Sequence, residues 1–186
     1  MTGAELALLV IAGLLVIGLS FAYWANRVDR LHAQVDAARA ALDHNLTRRA
    51  DTALDLAMSG ILDPASSLVM ADIARECLAA LDEPEPLGPA SATLQSELSR
   101  TVALAIGESA DVDAVGGPSG SVLGPMTSAW YRAVLARRFY NQAVNQARRL
   151  RQAWPVRVFR LAGRTPMPQT FDFEDRWPLV LGDGPS

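Results

Sequence analysis

The stretch LALLVIAGLLVIGLSFAYW, residues 6–24, runs directly into ANRVDRLHAQVDAARAALDHNLTRRADTALDLAMS, residues 25–59. The first part has no charged residue, and Ser20 is its only small polar one. As a helix it would span roughly 29 Å, close to the ~30 Å hydrocarbon thickness of a bilayer. The second part is amphipathic, and no proline or turn cluster intervenes before Gly60. The pattern therefore predicts one long helix, its first third in lipid and the rest in water.

The ends of the apolar run set its orientation. Residues 1–5 carry no basic side chain, the run is longer than the core of a secretory signal, and no small-residue cleavage site follows it. Phe21, Tyr23 and Trp24 suit the membrane–water interface, and Arg27 and Arg30 follow at once. Arginine on the C-terminal side alone predicts an uncleaved single-pass anchor in the cell's cytoplasmic membrane. Its N-terminus lies outside and its helical domain in the cytoplasm. A cleaved, exported chain is the alternative.

Beyond Trp24, apolar residues recur at spacings of three and four: Val28, Leu31, Val35, Ala38 and Leu42. The stripe turns polar at Asn45 and Arg49 and resumes at Ala53, Leu56 and Ala57, as on a helix in a shallow-angle bundle. Asp63-Pro64 starts a second helix that reaches about Leu81, with Leu68, Val69, Ile73, Cys77, Leu78 and Leu81 apolar. The proline-rich run 83–89 is a stiff connector. Ser91 can cap a third helix to about Glu108, with Leu94, Leu98, Val102, Leu104 and Ile106 apolar. After a Gly/Ser/Asp loop at 111–124, Pro125 can open a fourth helix that Pro155 ends. Its stripe is Met126, Trp130, Ala133, Arg137, Tyr140, Val144, Ala147, Leu150 and Trp154.

The expected fold is all-α. Residues 1–25 form a transmembrane anchor, continuous with an antiparallel four-helix bundle over 26–155, and 156–186 form an irregular tail. That topology returns Trp154-Pro155 to the membrane side. Arg157, Phe159 and Arg160 would then join Tyr23, Trp24, Arg27 and Arg30 at the interface. A tail docked on the bundle is the other reading.

Several motifs resemble the LemA family. They are Leu46-Thr47-Arg48-Arg49-Ala50-Asp51, the run Arg137-Arg138-Phe139-Tyr140-Asn141-Gln142-Ala143-Val144, the step Trp154-Pro155 and the ending Phe171-Asp172-Phe173-Glu174. Val28-Asp29 just past the apolar run is similar too. The chain departs from the family pattern at Leu54 and Asp55, where proline and asparagine are usual, and at Trp154, where phenylalanine is usual. It also lacks the acidic residue common before the Tyr-Asn pair. The resemblance implies a divergent bacterial, membrane-anchored helical protein with a long antiparallel hairpin. The family has no settled enzymatic activity, so the resemblance names no catalytic residues.

If the first and fourth helices are antiparallel, facing positions sum to about 180. Arg137 then falls near residues 43–45, Asn141 near 39–42, and Arg49 near 131–133. A buried guanidinium needs partners, and Asp43, Asn45, Asp51 and Asp55 are the candidates. Such polar seam groups ordinarily fix helix register, although a polar pocket or partner site would use the same residues. From Pro125 through Thr165 there are nine arginines and no acidic residue, whereas Asp51 through Asp113 holds twelve acidic residues against Arg75 and Arg100. Acidic helices flanking and neutralising the basic one is the simplest account of this asymmetry. Lipid contact is the next, and no nucleic-acid signature is present.

Specific chemistry is scarce. His32 and His44 would lie about 18 Å apart on one helix, too far to share a metal. Cys77 sits in an apolar stretch and cannot form an internal disulfide, being the single cysteine. The glycine-rich run at 116–120 lacks the Lys-Ser/Thr of a phosphate loop. No catalytic residue, metal site or cofactor is expected. The leading reading is a membrane-anchored interaction or scaffold protein of the bacterial envelope with a protein partner. The second is an anionic-lipid-binding module using the arginine-rich helix end and tail, and an uncharacterised hydrolase ranks third. Coiled-coil-like seams also permit a homo-oligomer.

Overall fold

The computed structural model describes residues 3–108, 123–152 and 168–175, without the side chains of Leu6, Glu108 and Leu123. Of these, 86% are helical and none is in a strand. There are four helices: α1 Gly3–Met58, α2 Pro64–Leu81, α3 Pro89–Glu108 and α4 Leu123–Gln152. The chain divides into two compact units, Met1–Ala37 with Gln142–Gln169 and Ala38–Asn141 with Thr170–Ser186.

Helix α1 is unbroken for 56 residues. Its N-terminal part is long and apolar enough to cross a membrane, and no part of the apolar window is buried within the chain. Leu8, Leu9, Ile11, Leu14, Val16 and Leu19 are all exposed. An uncovered apolar surface of this size is unfavourable in water. Further along, Val28, Val35, Leu42, Arg49 and Leu56 are all buried, a strict seven-residue recurrence. Leu46, Ala50 and Ala53 widen the stripe. Leu42, Leu46 and Leu56 are fully buried, and each such side chain stabilises the fold by about 1.5–3 kcal/mol.

The joints follow from local chemistry. Gly60 takes φ of 74°, the left-handed conformation that ends α1 without a Cβ clash. Asp63 caps α2, its Oδ1 accepting from the backbone N–H of Ala65 at 2.9 Å and Ser66 at 3.1 Å, with Pro64 in the first turn. In the second unit, Ala50, Ala53 and Leu56 of α1 share one core with Met70, Ala74 and Cys77 of α2, Leu98, Val102 and Ile106 of α3, and Met126 and Trp130 of α4.

Three expectations are corrected. Ser91 does not cap α3, because the helix starts at Pro89 and the Gly88 carbonyl accepts from Ala92 N–H at 3.1 Å. Helix α4 begins at Leu123 and carries Pro125 in its first turn, where a missing N–H costs nothing. Leu68, Val69 and Leu104 are exposed. The buried stripe of α2 is Met70, Ala74, Cys77 and Leu81, and that of α3 is Leu98, Val102 and Ile106. Leu68 and Leu104 sit two residues from a stripe position, about 200° around the helix.

Candidate functional site

In the second unit, polar side chains of α3 and α4 converge on residues 171–175. Residues 168–175 form no helix or strand, yet Phe171 and Phe173 are buried while Asp172 is exposed. Alternation of this kind is what an extended chain presents to a surface.

Asn141 of α4 reads the backbone of Phe171 in both directions. Its Nδ2 donates to the Phe171 carbonyl at 2.8 Å, and its Oδ1 accepts from the Phe171 N–H at 2.9 Å. One turn earlier on α4, Arg137 donates to Asp172 at 2.7 Å, to the Phe173 carbonyl at 2.6 Å and to Asp175 at 2.8 Å. Its side chain is only 13% exposed, which strengthens these charge-assisted bonds. From α3, Ser96 Oγ accepts from Glu174 N–H at 3.0 Å, and Arg100 grips the Glu174 carboxylate with Nε at 2.8 Å and Nη2 at 2.6 Å. Ser99 Oγ lies 2.5 Å from the Glu174 carbonyl.

Arg49 is the interior of this clamp. Its guanidinium is fully buried, donates to Gln95 Oε1 at 2.8 Å, the Gln95 carbonyl at 3.2 Å and Ser99 Oγ at 2.5 Å, and lies 3.8 Å from the Trp130 ring centroid. The Phe173 ring takes both cations, with Arg49 and Arg137 each 4.8 Å from its centroid. These acceptors of Arg49 are neutral. Burial pushes its pKa down to about 9, an effect partly offset by Cys77 and Asp175 and reinforced by Arg137. Arg49 Nε, Gln95 Nε2 and Trp130 Nε1 are buried donors with no acceptor among the described residues. Burial likewise pushes the Cys77 thiol up to about 12, which keeps it protonated and a poor nucleophile at neutral pH.

The expected seam partners are therefore corrected. Arg137 and Asn141 find their partners on the C-terminal segment, and Arg49 finds its own on α3, rather than at Asp43, Asn45, Asp51 or Asp55. Asn45 Nδ2 instead bonds the Ala41 carbonyl on its own helix at 2.6 Å, and Asp51 and Asp55 are exposed. Asp43 is half-buried and its carboxyl is raised by burial. The carboxylates that neutralise Arg137 come from the C-terminal segment rather than from α2 or α3. On α4 Arg49 stacks on Trp130, next to the expected 131–133.

Leu46, Tyr140 and Val144 are buried. Arg48 and Asp51 are exposed, and nothing in the structure explains their place in the motif. Trp154, Pro155, Arg157, Phe159 and Arg160 lie outside the described residues. Sequence reasoning missed Gln95, Ser96 and Ser99, and had Trp130 only as a member of the fourth helix's apolar stripe. The available signal was Ser91, Gln95 and Ser99, a polar row at four-residue spacing on the same helix as an apolar stripe.

The first unit holds a second arrangement. Tyr23, Trp24, Arg27, Arg30 and Leu31 of α1, with Gln146, Arg149 and Leu150 of α4, line a cleft of about 800 Å³. Tyr23 and Trp24 meet edge to face at 5.8 Å, and Arg27 Nη1 lies 3.4 Å from the Tyr23 hydroxyl. Arg148 anchors the nearby chain by donating to the Pro168 carbonyl at 3.1 and 2.9 Å. Among the described residues no group of three or more His, Cys, Asp or Glu could hold a metal ion. No family model, curated protein or solved structure matches the chain.

Proposed function

We propose that this chain is a single-pass, membrane-anchored helical interaction module of the bacterial envelope, a divergent relative of the LemA family, with no catalytic residue of its own. One observation carries the reading. Helix α1 passes without a break from an apolar span that stays exposed among the described residues into a stretch whose every seventh residue is buried. A helix of that kind joins a bilayer to a folded domain.

The four helices are read as an antiparallel bundle. Support comes from each unit separately: Leu31 shares a cleft with Gln146 and Leu150 in the first, and Arg49 stacks on Trp130 in the second. The arginines at 27 and 30 favour a bundle in the cytoplasm with the N-terminus outside. Neutral and cationic side chains on α3 and α4 recognise both the backbone and the carboxylates of the chain's own Phe171–Asp175, which shows the mode of extended-peptide recognition these helices can offer.

The test has two stages. Alkaline carbonate should leave the full-length protein in the membrane pellet, and in-cell crosslinking should then return a reproducible membrane or envelope partner. Release by carbonate overturns the anchor. Firm retention with no specific crosslinked partner overturns the interaction role.

A further inference from the structure

We propose that the cleft lined by Tyr23, Trp24, Arg27, Arg30, Arg149 and Leu150 binds the phosphate headgroup of an anionic phospholipid. The inference rests on the membrane anchoring proposed above and adds a ligand and a site to it.

The chemistry of the lining is one-sided. Three guanidiniums line one cleft, and none of the described residues lining it carries a carboxylate. They come from two helices far apart in sequence, so the fold rather than a local run brings them together. Guanidinium is the side chain best matched to phosphate, which it can hold through two parallel hydrogen bonds. The aromatic pair Tyr23–Trp24 and the aliphatic Leu31 and Leu150 give the same cleft an apolar wall for the glycerol and upper acyl region.

Position along the helix selects lipid over a soluble anion. At ~1.5 Å per residue, Arg27 lies about 4.5 Å and Arg30 about 9 Å beyond Trp24 along the helix axis. With Trp24 at the edge of the hydrocarbon, Arg27 lies within the headgroup layer, roughly 5–8 Å thick on each side of a bilayer, and Arg30 at its outer margin, within reach of its long side chain. A phospholipid in the adjoining leaflet therefore holds its phosphate level with the guanidiniums. Arginines in the last turn of α4 also complement that helix's dipole, a role that would require no cleft and no partner from α1.

The experiment is native mass spectrometry of the full-length chain in detergent, titrated with phosphatidylglycerol, with phosphatidylcholine, or with inorganic phosphate alone. Carbonate extraction of the same variants from cells runs alongside. The expected result is saturable phosphatidylglycerol binding at least tenfold tighter than phosphatidylcholine binding. The triple variant Arg27→Gln/Arg30→Gln/Arg149→Gln should lose tenfold or more. The charge-matched triple Arg48→Gln/Arg132→Gln/Arg138→Gln, at three exposed arginines elsewhere, should keep the wild-type affinity. Equal losses in the two triples would reduce the effect to net charge and overturn the site. No preference between the two lipids would overturn it also, as would inorganic phosphate binding as tightly as the lipid. Carbonate resistance with no lipid preference removes the headgroup site and leaves the anchor standing, whereas loss of carbonate resistance removes the anchor itself.

Discussion

Replacing Arg49 separates the two reasons a protein can have for burying a cation. Burial takes the pKa of its guanidinium well below its ordinary value, down to about 9. At about 1.36 kcal/mol per decade that is a penalty on the charged form of roughly 5 kcal/mol, as an order of magnitude. Against it stand three hydrogen bonds from a charged donor and a desolvated stack on Trp130. Replacing a buried charge by an apolar group of similar volume is often close to neutral, so the chain should gain little net stability from the charge and more from the flat, forked shape. Arg49→Met abolishes the penalty, fills similar space and leaves Gln95 Oε1 without its donor, at a cost of about 1–3 kcal/mol. The methionine variant should therefore lie within about 2 kcal/mol of wild type. Arg49→Lys keeps the charge but can neither fork across Gln95 and Ser99 nor lie flat on Trp130. It should lose about 3–5 kcal/mol, the upper limit being the cost of neutralising a lysine at pH 7. Denaturant unfolding of the full-length chain in mild detergent, followed by circular dichroism, gives both numbers. A lysine variant near wild type beside a methionine variant losing more than about 4 kcal/mol would show that the positive charge itself is needed, and would refute the reasoning.

Asn141→Ala removes both bonds to the Phe171 backbone and should cost about 1–3 kcal/mol. Hydrogen exchange should report it first at the Phe171 amide, with α2 protected as in the wild type, and a uniform rise in exchange along the chain would contradict the clamp. Asp63→Ala should lower the melting temperature by uncapping α2. The bonds from Ser66 and Ala65 hold the Asp63 carboxyl below its ordinary 3.8, so the folded state binds fewer protons than the unfolded one. This stabilisation is present above pH 3.8 and disappears as the pH falls through the lowered value. The difference between wild type and variant should close at low pH, and a gap that stays constant would point to some cause other than the carboxylate.

The helices were legible because their signals are local. Asp63-Pro64 announces a cap, and the recurrence at Val28, Val35, Leu42 and Leu56 announces a packed face. The helix ends were less so, since Ser91 and Pro89 both make acceptable first-turn residues and only packing decides between them. The partners of Arg137 and Asn141 were illegible for a different reason. They lie 30–38 residues further along, beyond a proline-rich stretch with no helical period, and nothing in helix geometry points there. What could have pointed there is Phe-Asp-Phe-Glu itself, whose two-residue alternation marks an extended segment with one apolar face.

That segment also explains why three motifs so far apart in sequence occur together in one chain. The Phe173 ring needs a cationic surface on Arg49 and on Arg137. Arg137 needs carboxylates at Asp172 and Asp175, and Arg49 needs the Gln95 and Ser99 acceptors. Ser99 in turn lies against the Glu174 carbonyl. Removing any one leaves a buried polar group or ring face without its partner, so the set is maintained as a whole. An active site would aim such groups at a space open to substrate. Here they are aimed at the chain's own C-terminal segment, which is why we read the motifs as the means of fastening that segment to the helices.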